Sequence, residues 1–129
     1  MADDALPPHV RRLILDDIES VGQLELLLLL HKDPSKEWRA GPAARELHTD
    51  PGWALSQLEL LASREILQTT GGPDPGFRFR PSTPELENAV NGLARAYAER
   101  RVSIVNMIGS KPDSRIQIFA DAFRIRKDR

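Results

Sequence analysis

The chain has 129 residues, 40% of them hydrophobic and 29% charged, a balance that supports one domain with a real hydrophobic core and excludes a disordered chain. Its net charge of -1 excludes an overall basic field for nucleic acid and leaves only local patches to attract one. The absence of cysteine excludes disulfides, thiol catalysis and cysteine-ligated zinc or iron–sulfur sites.

Charge is unevenly spread. Acids such as Asp3, Asp4, Asp16, Asp17 and Glu19 dominate residues 1–30, whereas bases such as Arg100, Arg101, Arg124, Arg126, Lys127 and Arg129 dominate residues 100–129. The two ends can therefore attract each other within one subunit or across a dimer. The opening MADDALPP is acidic and lacks the basic-then-apolar order of a secretory signal, so a cytoplasmic location is expected. The run from Leu24 to Leu30 contains Glu25 and is far shorter than the roughly 20 residues of a membrane span, so it reads as a core helix and no membrane partner is expected.

In chain order, Pro7-Pro8 opens a helix to about Glu19, with Val10, Leu13, Ile14 and Ile18 as its apolar stripe. Ser20 with Gln23 makes a capping-box start for a second helix to about Lys32. This helix is apolar almost all round, so its neighbours must cover it. Glu37 to Ala40 is a short strand, and Gly41-Pro42 opens a helix to about His48 with Ala43, Ala44 and Leu47 facing inward. Thr49 or Asp50 caps the next helix, Pro51 suits its first position, and Leu55, Leu58, Leu61 and Ala62 return at helical spacing. The period then changes. Residues 66–70 and 77–80 are short extended runs around Gly71-Gly72-Pro73-Asp74-Pro75-Gly76, a loop dense in turn formers. Ser82 or Thr83 caps a helix that the apolar stripe carries from Pro84 to Ile108. A helix that long must bury its stripe outside its own domain, which points to a second subunit. Gly109 to Pro112 breaks it, and Ile116, Phe119, Ala120 and Phe123 mark a last amphipathic helix.

Helix, short strand, helix, turn, helix and hairpin over residues 20–81 give a mostly α fold with a small β-hairpin, a winged helix-turn-helix core. It is preceded by an N-terminal lead and helix over residues 1–19 and followed by C-terminal, dimerising helices over residues 82–129. The whole layout resembles the small bacterial regulators of the MarR type, which place a helix before the winged core and long helices after it to build a dimer. The resemblance is one of element order. MarR-type wings carry Asp-x-Arg, whereas here Asp74 is followed by Pro75-Gly76-Phe77 before Arg78, and Glu65 holds the position before the hairpin that is commonly glycine in winged helices.

The resemblance implies a homodimeric, DNA-binding transcriptional regulator that is not an enzyme, with the helix over residues 50–64 in the major groove. Stepping at helical pitch leaves Gly52, Trp53, Ser56, Glu59, Leu60 and Ser63 outward, with Gln57 and Arg64 at the flank. Ser56 and Gln57 are the residues suited to base edges, and Glu59 would face phosphates or accept from a cytosine amino group. Trp53 either packs against a neighbouring helix, meets a protein partner, or touches a sugar or base. Arg78 and Arg80 alternate with Phe77 and Phe79, which puts both arginines on one strand face, for phosphates or for solvent; Arg45 adds a backbone contact. The alternative function is a protein-interaction module that uses the Trp53/Leu60 face or the long C-terminal helix, without sequence-specific DNA binding. His9, His31 and His48 are too scattered for a metal site, Gly71-Gly72 lacks the helix and Lys-Ser/Thr of a phosphate loop, and no cofactor is expected.

Overall fold

A computed structural model describes residues 6–110. Within them run α1 (Pro8–Asp17), α2 (Val21–His31), α3 (Ala40–Leu47), α4 (Pro51–Ser63), the hairpin strands β1 (Leu67–Thr69) and β2 (Phe77–Phe79), α5 (Pro84–Glu99) and α6 (Arg101–Ser110). This is a winged helix-turn-helix with helices before and after it. The expected last helix, with Ile116, Phe119 and Phe123, lies outside the described residues.

The centre is α2. Leu24, Leu26, Leu27 and Leu30 are fully buried, and α3, α4 and β2 pack around the helix. Its start follows the capping box with one variation. Ser20 Oγ accepts from the Gln23 backbone N–H at 3.0 Å, while the Gln23 side chain accepts from the N–H of Glu19, one residue ahead of the cap, at 2.9 Å. The turn between α3 and α4 is made by His48, which takes a left-handed conformation (φ 56) so that the Thr49 N–H can return to the Ala44 carbonyl. Of the two expected caps of α4, Asp50 serves, its carboxylate accepting from the Trp53 N–H at 2.9 Å.

β1 and β2 pair antiparallel with Gln68 opposite Arg78, and the loop between them turns through Gly71 and Gly72, both at positive φ. Phe77 and Phe79 point inward and are buried. The expected strand at residues 37–40 shrinks to one bridge, in which the Trp38 and Phe77 backbones exchange hydrogen bonds of 2.6 and 2.7 Å; Ala40 already belongs to α3. Glu65, at the common glycine position, adopts the left-handed backbone (φ 66), and its carboxylate accepts from Ser82 Oγ at 2.7 Å.

The expected continuous helix from 84 to 108 breaks at Arg100, whose backbone (φ -138, ψ 53) leaves the helical region. The buried stripe explains the position. Leu93, Ala96, Ile104 and Ile108 face inward at helical spacing, and residue 100 falls on that same stripe with an arginine. The chain breaks there, and Tyr97 Oη and Arg101 Nη2 both donate to the Glu25 carboxylate of α2, at 3.0 and 3.1 Å. α6 then packs against α5 and α1 rather than projecting. Val102, an apolar residue of the span expected to form that helix, is 72% exposed. The projecting-helix argument for a second subunit therefore falls away. No helix among the described residues is long and apolar enough to cross a membrane.

Candidate nucleic-acid interface

Three stripes divide the surface of α4. Ala54, Leu58 and Leu61 face the core and are fully buried, with Leu55 and Ala62 half-buried beside them. A second stripe, Trp53, Gln57, Leu60 and Arg64, is also half-buried because it meets the joint between α1 and α2. The Trp53 ring lies so close to Gly22 that a Cβ there would approach two of its ring carbons to 3.1 and 3.2 Å. Gln57 Oε1 accepts from Gln23 Nε2 at 2.8 Å, and Gln23 is fully buried. Arg64, which follows α4, donates to the Asp17 carbonyl and to the Glu19 carboxylate, the latter at 2.7 Å. These bonds join the middle of α4 to Gln23 of α2 and its end to the short segment Asp17–Glu19.

The third stripe is open. Gly52, Ser56, Glu59 and Ser63 are exposed along the length of α4. Ser63 Oγ turns back to the Leu60 carbonyl at 2.6 Å, which leaves Ser56 and Glu59 as the groups directed at solvent. Beside them is a cleft of about 430 Å³ between α4 and the wing, lined by Glu59, Ser63, Thr69, Gly71 and Gly72 among others.

On the wing, Arg78 is half-buried and its Nε donates to Gln68 Oε1 at 3.2 Å, across the hairpin register. Arg80 lies just past the end of β2, exposed, with its N–H on the Ile66 carbonyl. Arg45 is exposed on α3. The wing-tip acid Asp74 is paired with Arg39 at 2.8 Å, an exposed ion pair that neutralises the tip. Of the residues selected from sequence, Ser56, Arg45, Arg78 and Arg80 thus stand at or near the surface, whereas Trp53 and Gln57 turn toward α2. Trp53 and Leu60 form no open apolar patch: the exposed large hydrophobic residues among those described are Leu15 and Val102.

Sequence reasoning did not identify Gln23 as Gln57's partner, nor Arg64 and the Arg39–Asp74 pair as fixed elements. The capping-box spacing does mark Gln23 as a residue at a helix start, but its second bond crosses to residue 57, which no local pattern reveals. A second cleft, of about 640 Å³, opens between α1 and the start of α5 and includes Arg12, Asp16, Arg64 and Glu85 in its lining.

No protein-family model matches the chain, and no significant match is found among curated proteins. Solved structures do match. A Methanosarcina mazei protein described as a "possible transcriptional regulator" superposes with a TM-score of 0.51 at 16% identity, over 75% of this chain and 83% of that one. The adhesin competence repressor AdcR of Streptococcus pyogenes gives 0.52 at 12% identity, over 88% and 81%. RV1404 of Mycobacterium tuberculosis gives 0.51 at 14% identity, over 93% and 78%. At these identities the likeness concerns backbone arrangement, and what the chain shares with these proteins is the winged helix-turn-helix fold.

Proposed function

We propose that this chain is a DNA-binding transcriptional regulator of the MarR type, acting as a homodimer in the bacterial cytoplasm, with α4 in the major groove and the wing arginines on the sugar-phosphate backbone. The observation that carries the reading is the open stripe of α4, presented along the full helix by a helix-turn-helix whose other faces are occupied. Arg45 and Arg80 make no ion pair among the described residues and are available to phosphates, and Arg78 needs only to release a neutral glutamine. The descriptions of two superposing proteins as regulators support the same reading by analogy of fold. Dimerisation is supported by the exposed Leu15 and Val102 and by the apolar residues Ile116, Phe119 and Phe123 of the chain beyond α6. The proposal assigns the chain no catalysis.

One feature favours the alternative of a protein-interaction module: the open stripe of α4 carries Glu59 and no base, so counterion release there contributes nothing. Binding of the purified protein to a genomic fragment library at low and at physiological salt separates the readings. Enrichment of a palindromic site, bound less tightly as salt rises and weakened uniformly across sequences by Arg80→Ala, supports the regulator. No enrichment at either salt rejects it.

A further inference from the structure

The side chains of α4 and its ends leave few groups able to read a base. Gln57 is bonded to Gln23, Arg64 to Asp17 and Glu19, Asp50 to the helix N-terminus, and Ser63 to the Leu60 carbonyl. Ser56 and Glu59 remain. A hydroxyl both donates and accepts and so discriminates weakly, whereas an ionised carboxylate only accepts. Glu59 is exposed, it has no hydrogen-bond or ion-pair partner among the described residues, and the cleft beside it has no base in its lining. The wing's acid, by contrast, is neutralised by Arg39.

We infer that Glu59 is the specificity-determining residue of the DNA-reading surface, and that it selects cytosine. The inference rests on the DNA-binding reading above. In the major groove the cytosine edge offers the N4 amino donor without a neighbouring acceptor, while adenine sets its N6 amino beside the N7 acceptor, and guanine and thymine turn acceptors toward the protein. A carboxylate accepts cleanly from the first, is opposed at adenine by the N7 acceptor beside the N6 donor, and is repelled by the acceptors of guanine and thymine. It is also repelled by phosphates, so Glu59 weakens binding to DNA in general while favouring the sites that satisfy it, a gain in discrimination at the expense of affinity.

The test is selection from a randomised duplex library by wild type, Glu59→Gln and Glu59→Ala, with each protein also titrated against a random-sequence duplex at low salt. Wild type is expected to select cytosine at one position in each half-site. The glutamine variant should move that position to adenine, whose N6 and N7 an amide matches, and the alanine variant should lose preference there by roughly tenfold or more. Both variants should bind the random duplex several-fold more tightly than wild type, an effect opposite to that of losing a merely structural residue. Identical preferences in all three proteins would overturn the inference while leaving DNA binding intact. So would weaker binding of both variants to every duplex together with lowered melting temperatures. If wild type itself selects no site, the DNA-binding reading fails and the role of Glu59 fails with it.

Discussion

The inner and outer sides of α4 are built on opposite rules. On the inner side the amide and the guanidinium have assigned partners: Gln57 with the buried Gln23, and Arg64 with Glu19 and the Asp17 carbonyl. On the outer side Ser56 and Glu59 have none among the described residues and are exposed. Burial makes the difference. A polar group removed from water must find a protein partner or forfeit its hydration, whereas an exposed one keeps water and stays free for a ligand. The same helix is thereby held in place by one side and left free to recognise with the other.

The largest effect that sharpens this contrast should come from the core stripe. Leu58→Ala removes a fully buried core side chain and should cost about 2–5 kcal/mol in chemical denaturation, with the spread set by how far the site collapses. Gln57→Ala comes next, because it strands the buried Gln23 amide; a loss of about 1–3 kcal/mol is expected. An unchanged denaturation midpoint would show that Gln57 is not tied inward and would return it to the candidate base readers. On the open side, Ser56→Ala should alter stability by no more than about 0.5 kcal/mol, since no partner is lost. A larger loss would mean that the stripe is covered in solution and would break the comparison.

The smallest effect belongs to the other flank of α2, where Tyr97 and Arg101 hold Glu25. Partial burial, and then the hydrogen bond to the Glu25 carboxylate, raise the Tyr97 pKa above its ordinary value of 10.0. Because the folded state keeps the phenolic proton longer than the unfolded chain does, this contribution to stability is intact below pH 10.0. It is lost as the pH rises through the folded value. Tyr97 is the sole tyrosine, so tyrosinate absorbance of the folded protein reports it alone. The titration should lie above that of the denatured chain, and Glu25→Gln should move it back toward the ordinary value.

Local chemistry was legible throughout. Ser20, Asp50 and Thr83 cap the helices that follow them, and Gly71-Gly72 makes the wing turn, because a cap or a tight turn is decided by a few adjacent residues. The break at Arg100 was not legible, since neither glycine nor proline marks it. It follows from an arginine falling on a buried stripe and from Glu25, far earlier in the chain, reaching Tyr97 and Arg101. For the candidate site, Ser56 was placed outward correctly from helical pitch alone. Gln57 and Trp53 were placed at the flank and outside, because pitch counted from a single stripe cannot show that α2 covers a second one.

By itself the sequence determined the order of the helices up to the hairpin, most of the apolar core and the residue types available for chemistry, because periodicity, capping and turn chemistry act between near neighbours. Only the tertiary structure decided which polar side chains of α4 are consumed in holding it and which are left for a ligand. That decision depends on contacts such as Gln23 with Gln57 and Asp17 with Arg64, between segments that meet only after the chain has folded.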